Sequence, residues 1–242
     1  MDTLNKYANA KSVALITGGN KGIGLATSKK FLAEGYRVIA VARDFSGTNL
    51  PRSSNFIQVE FDLCYVGDIP KLISQLGTVN ILVNNAGMMN GCPYDAYPED
   101  KKKEIIKLNL EAPVTLIREV SKSMVASGKG RIVNNASIAG QIGHPDIWYG
   151  ITKAGMINMT KSFAKILGPK GIVVNAIAAG PVETAMLSTI PLARLKQIKK
   201  VAYCGRFAQP EEVAETIYWL ATECPEYMNG VCLDINNGAF PR

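Results

Sequence analysis

The sequence predicts a single-domain α/β fold, a doubly wound parallel sheet of about seven strands with helices on both faces. Three observations predict it. Short apolar runs alternate with helical patterns from end to end, which is how parallel strands joined by crossover helices read. The 242 residues are 47% apolar and 19% charged, an ordinary balance for one domain with a well-buried core. No internal repeat, low-complexity tract or linker divides the chain, so one domain is expected over 1–242, with a short tail at 1–11.

The first strand is expected at Ser12 to Thr17, an apolar run that ends in a glycine-rich turn. A helical pattern covers Ile23 to Glu34, and strands follow at Arg37 to Ala42 and Phe56 to Glu60. The connection Phe45 to Asn55 is short and rich in Ser, Asn, Gly and Pro, so any helix within it is brief or absent. Helix Val66 to Gln75, strand Val79 to Asn84, helix Lys101 to Val125 and strand Gly130 to Asn135 continue the alternation. Helix Trp148 to Leu167 and strand Ile172 to Ile177 come next. Glu183 to Phe207 is less regular, with helix-like pieces broken by Pro191 and Gly205. A long segment there, at the carboxyl edge of a parallel sheet, is a natural lid over a ligand. Helix Pro210 to Leu220 and strand Val231 to Ile235 close the pattern.

Composition excludes several functions. No apolar run approaches the roughly 20 residues that span a bilayer. The opening MDTLNKYANAK lacks the apolar stretch of a secretory signal, so a cytoplasmic location is expected. Cys64, Cys92, Cys204, Cys224 and Cys232 form no CxxC, and His144 is the only histidine, so reduced thiols and no metal site are expected. The net charge of +7 is spread along the chain. Clusters such as Lys101-Lys102-Lys103 read as solvated helix faces, or else as attraction for an acidic substrate, cofactor or carrier protein. No aromatic-basic motif accompanies the charge, so nucleic acid is not expected as a partner.

Chemistry enters at the first turn, Thr17-Gly18-Gly19-Asn20-Lys21-Gly22-Ile23-Gly24, from which a helix follows at once. Glycines allow a tight turn, close backbone approach to phosphate and packing of helix on strand. The new helix offers unpaired N–H groups and a positive dipole end to a pyrophosphate. Between strand and helix, this is a dinucleotide signal. Further along, Tyr149 and Lys153 stand four positions apart on an expected helix and so share a face. Free tyrosine has a pKa of about 10, and a neighbouring ammonium lowers it by stabilising the phenolate.

These motifs make the chain resemble the short-chain dehydrogenase/reductase family over nearly its whole length, which implies a Rossmann fold. The first turn has the family's TGxxxGxG spacing, Asn84-Asn85-Ala86-Gly87 is similar to its NNAG motif, and Tyr149 to Lys153 is similar to YxxxK. Asn175 to Thr184 resembles the segment that holds a nicotinamide. The resemblance implies that Gly18, Asn20, Lys21, Gly22, Ile23 and Gly24 cradle the cofactor's phosphates. Asp62 and Leu63 match positions that contact adenine, and Asn85, Ala86 and Gly87 line the cofactor cleft. Val182 and Thr184 match positions that hold the carboxamide, and Tyr149 and Lys153 face the nicotinamide ribose. Ala42 stands where NAD-preferring relatives carry an acid, Arg43 follows, and Lys21 lies in the turn, so NADP(H) is expected over NAD(H). The other reading makes Arg43 a surface residue and lets Asp44 serve the ribose.

For the reaction, the resemblance implies Tyr149 as proton donor, Lys153 beside it, Ser137 on the substrate oxygen, and Asn109 holding a water in a proton relay. Ser137 is one residue closer to Tyr149 than the commonest family spacing, a shortening assigned to the loop through Gly143, His144 and Pro145. Ala179 and Asn237 depart from the proline and glycine common in relatives. The overall pattern is most similar to 3-oxoacyl-(acyl-carrier-protein) reductases, so an NADPH-dependent carbonyl reductase is expected. A dehydrogenase of a small alcohol, sugar or steroid-like substrate, and a non-catalytic NADP(H) sensor, are the alternatives. Lys129 and Lys170 match positions where such reductases carry cations for docking an acyl carrier protein. A homotetramer or homodimer is expected through the helices at Lys101 to Val125 and Trp148 to Leu167. The loop Met88 to Tyr97 and the lid set the pocket's shape.

Overall fold

A computed structural model describes residues 12–46, 49, 51–189 and 192–241, so the tail at 1–11 and Pro191 lie outside the described residues. The strands are β1 (Val13–Thr17), β2 (Arg37–Ala42), β3 (Phe56–Glu60), β4 (Ile81–Asn84), β5 (Gly130–Asn135), β6 (Ile172–Ala179) and β7 (Cys232–Ile235). They form one sheet in the order β3-β2-β1-β4-β5-β6-β7, and every pairing is parallel. Each expected strand is present. β6 runs past its expected end because Ala178 and Ala179 pair with Asp234 and Ile235, so the alanine that departs from the family's proline is a ladder residue.

Parity along the strands builds two cores. Ala14, Ile16, Val38 and Ala40 face one side, where they meet Phe31 of α1 (Gly22–Ala33) and Val213 and Ile217 of α7 (Pro210–Thr222). Leu15, Ile39, Val41 and Leu82 face the other. There they meet α2 (Ile69–Leu76), α4 (Ala112–Ser127) and α5 (Ile147–Leu167). Period-two alternation sends neighbours to opposite faces, and helices on both faces make the sheet doubly wound. β3 is the edge, and its Gln58 and Glu60 are exposed while Phe56 is buried. No helix among the described residues is long and apolar enough to cross a membrane.

Two expected helices are subdivided. Val66–Asp68 is a 3-10 turn, and α2 begins at Ile69 with Pro70 in its first turn, where a missing N–H costs nothing. The helix expected at Lys101 to Val125 is α3 (Glu99–Ile106), a π turn (Lys107–Glu111) and α4. The cause is local: Pro113 has no N–H to donate to the carbonyl of Asn109 four residues back, so the turn widens. Within the lid lie a 3-10 segment, Ala185–Thr189, and α6 (Leu192–Val201). Its base is pinned by a parallel bridge between Val182 and Ala208, with Glu183 N donating to Ala208 O at 2.8 Å. Asn237 has φ 47°, in the region glycine favours and asparagine tolerates, which explains how it stands in a glycine's place.

Candidate active site

Strand order reverses between β1 and β4, and the crevice at their carboxyl ends is where an open α/β sheet binds ligands. The two turns that leave these strands are tied together. Thr17 Oγ1 accepts hydrogen bonds from Asn85 N and Ala86 N, both at 2.9 Å, and Asn85 Nδ2 donates to Thr17 O at 2.9 Å. The glycine turn is tight: a Cβ on Gly24 would lie 2.0 Å from Gly18 O. Gly18 and Gly22 have positive φ. α1 then starts at Gly22 after its N-cap Lys21, whose side chain makes no cap, and its first turn holds no acid. Its leading N–H groups therefore point into the crevice without a side-chain partner, which fits a bound pyrophosphate. Thr184, at the base of the lid, stands against Gly22.

The adenine side is more open. Arg43 is exposed and lies 3.9 Å from Glu104 in a loose ion pair. Asn20 Nδ2 donates to Asp44 O at 2.7 Å, while the Asp44 carboxylate accepts from Ser46 N and Ser46 Oγ. Asp62 accepts from Cys64 N. The side chains of Leu63 and Val182 are buried in the two cores, so a ligand in the crevice meets their backbone.

Asn109, Ser137, Tyr149 and Lys153 come together beneath the other half of the crevice. The Ser137 hydroxyl hydrogen-bonds that of Tyr149. Ser137 is held by the 3-10 turn Ile138–Gly140, which it caps by accepting from Ala139 N at 3.1 Å. That turn packs on the backbone of α5 so closely that a Cβ on Gly140 would lie 2.6 Å from the carbonyl carbon of Lys153. The shortened loop therefore still delivers Ser137 to Tyr149. Asn109, fully buried in the π turn, accepts from Met88 N and donates to Met88 O, both at 3.0 Å, and also donates to Thr152 Oγ1 at 3.1 Å. It joins the NNAG loop to α5.

Lys153 is 5% exposed, and its Nζ donates to Asn135 O at 2.7 Å, 5.7 Å from the centre of the Tyr149 ring. Burial brings its pKa down to about 8. Tyr149 opens partly to the crevice, yet protein surrounds its hydroxyl. Burial pushes its pKa above the ordinary tyrosine value, Ser137 pulls it down, and the Asp146 charge adds to the rise. The lowering expected from Lys153 is thus corrected in the bare protein: Ser137 supplies the lowering, and burial outweighs it.

The pattern of motifs missed three contributors. Asp146 caps α5, His144 lies with its ring centre 5.1 Å from that of Tyr149, and the Asn135 carbonyl anchors Lys153. An acid just before an apolar helical run is a readable capping signal, but starting the helix at Trp148 hid it. Lys129 and Lys170 do not join the site. They precede β5 and β6, on loops that touch through Gly128 and Gly171, at the amino edge of the sheet. Ser137, Tyr149 and Lys153 lie toward the carboxyl edge, roughly 20 Å away along a strand of this length.

Comparison with known proteins identifies the family. The family described as short chain dehydrogenase matches residues 12–194. A 3-oxoacyl-(acyl-carrier-protein) reductase of Thermotoga maritima is 35% identical over 240 residues, covering 93% of this chain and 96% of that protein. An acetoacetyl-CoA reductase of Rhizobium meliloti is 33% identical over 236 residues, covering 94% and 98%. Among solved structures, an Agrobacterium tumefaciens protein assigned as a 2-deoxy-d-gluconate 3-dehydrogenase, with bound NADP, superimposes with a TM-score of 0.87 at 28% identity, covering 98% of this chain and 100% of that one.

Proposed function

The chain belongs to the short-chain dehydrogenase family and is an oxidoreductase, and from that premise we propose that it reduces a carbonyl to an alcohol with NADPH, using Tyr149 as the proton donor. The observation that carries the reading is the meeting of the Ser137 and Tyr149 hydroxyls above the buried Lys153 ammonium. The nicotinamide, when bound, supplies the hydride that reaches the carbonyl carbon. Tyr149 gives its phenolic proton to the carbonyl oxygen, and Ser137 steadies that oxygen as charge develops. Lys153 spends one N–H on Asn135 O and keeps others for ribose hydroxyls. Below about pH 8 its charge steadies the phenolate that proton transfer leaves behind. Asn109 holds the NNAG loop on α5 and thus keeps the cleft in register with Tyr149.

Preference for NADP(H) is supported by Arg43 and Lys21 beside Ala42, and by the Asp44 carboxylate being engaged with Ser46. A 3-oxoacyl thioester is the first substrate class, following the relatives' names. Sugar-acid oxidation is the second reading, favoured by the Agrobacterium structure and by the distance of Lys129 and Lys170 from the site. The test is a turnover screen with NADPH and NADH over acetoacetyl-CoA, carrier-bound 3-oxoacyl thioesters and sugar acids. Wild type is expected to favour NADPH and to reduce a 3-oxoacyl thioester, and Tyr149→Phe is expected to lose about 100-fold or more. Full activity in Y149F would end the assignment, and cofactor binding without turnover on any substrate would leave a sensor.

A further inference from the structure

Asp146 is 2% exposed and spends both carboxylate oxygens on donors. Oδ1 accepts from Tyr149 N at 3.1 Å, which caps α5. Oδ2 accepts from Asn90 N at 2.8 Å and Gly91 N at 2.7 Å, in the loop that follows the NNAG turn. The Tyr97 hydroxyl, at the far end of that loop, also donates to Asp146 and in turn accepts from Asn90 Nδ2 at 3.0 Å. Gly91 takes φ 65° to present its N–H. Every partner is a donor, a set that two carboxylate oxygens accept and one amide oxygen cannot. Helix capping alone needs only one of these bonds. The remainder bind the wall of the substrate pocket to the helix that carries Tyr149.

We infer that Asp146 is a positioning residue for the reaction, fastening the Met88–Tyr97 loop to the start of α5 and setting a fixed negative charge behind the proton donor Tyr149. The inference rests on the reading of Tyr149 as that donor. A buried anion disfavours a phenolate nearby, so it keeps Tyr149 protonated, as an acid in reduction must be. The other groups facing Tyr149 are Lys153 on its own helix, His144 from the preceding loop and the Ser137 hydroxyl. Lys102 of α3 lies over the neighbouring Trp148 ring, 5.1 Å from its centre. Among these, Asp146 is the anion, and it is tied to the backbone of Tyr149 itself.

The experiment compares Asp146→Asn and Asp146→Ser with wild type. D146N keeps the side-chain shape but has one acceptor oxygen, and D146S can cap α5 without reaching the loop. Two readouts are taken: the pH profile of kcat/KM in both directions, and tyrosinate absorbance during alkaline titration, each protein minus its Y149F counterpart. Both variants are expected to move the Tyr149 limb down by about one pH unit, and to raise KM several-fold more than they lower kcat, because the loop is released. Activity that falls equally at every pH, with the limb and the difference titration unmoved, would reduce Asp146 to a helix cap and overturn the inference. If wild type turns over no carbonyl substrate, the functional reading fails, while the difference titration still decides whether Asp146 acts on Tyr149.

Discussion

At the scale of the residue, Lys153 shows what the site costs the fold. The folded protein releases its proton at about 8 instead of the ordinary 10.5, and desolvation is the cause. Holding the ammonium inside therefore costs roughly 3 kcal/mol relative to water, net of the bond it makes to Asn135 O. The unfolded chain keeps this proton up to the higher value, so the cost is complete below about pH 8 and is relieved as pH rises from there toward 10.5. Lys153→Met is expected to abolish turnover while unfolding at or above the wild-type temperature at neutral pH. The advantage should shrink between pH 8 and 10.5 when thermal melts are run across that range. A K153M protein markedly less stable than wild type at pH 7 would contradict burial as the dominant influence. Asp146 is the counterpart, a buried charge whose surroundings supply every donor it needs.

At the scale of the element, the glycine turn and the π turn do different jobs. Gly24 packs α1 against the turn at a distance no Cβ tolerates. Gly24→Ala is expected to cost about 1–3 kcal/mol of stability and to weaken NADPH binding, measured by chemical denaturation and by cofactor fluorescence titration. Unchanged affinity would show that the turn relaxes without losing its phosphate cradle. The π turn is a consequence of Pro113, which is visible in the chain, but what it accomplishes is not. It turns Asn109 inward to Met88 and Thr152, residues 21 and 43 positions away. The 3-10 turn Ile138–Gly140 acts similarly, since its Gly140 lets it lie on α5 and so determines where Ser137 stands.

At the scale of the whole molecule, the reversal of strand order between β1 and β4 opens one crevice, and the two turns that leave these strands converge on it. Apolar side chains remain exposed on the helices expected to assemble copies: Ile147, Ile151 and Ile166 on α5, and Val114 and Val125 on α4. We propose that these faces meet their equals in a dimer or tetramer. Ile151→Asp is expected to shift the sedimenting species toward monomer, since a desolvated charge in a symmetric interface is presented twice. A wild-type protein that sediments as a monomer would remove the basis for this assembly. Assembly also bears on the substrate. With Lys129 and Lys170 at the amino edge, a carrier held by them lies far from the Tyr149 of the same chain along the strand axis.

The sequence by itself determined what local chemistry dictates. Strand runs, the turn from Thr17 to Gly24 and the Tyr149–Lys153 spacing each follow from backbone freedom or periodicity within a few residues. The seven parallel strands and both helical faces were legible for that reason. Tertiary structure decided what depends on distant groups meeting. It set the burial of the Tyr149 hydroxyl against its bond with Ser137, and it fixed the hold of Asn135 on Lys153. It placed two lysines on the far edge of the sheet and made Asp146 a link between a helix and a loop 55 residues away. Desolvation is the physical reason: a pKa and a buried hydrogen bond depend on what surrounds a group after folding, and spacing along the chain does not encode that.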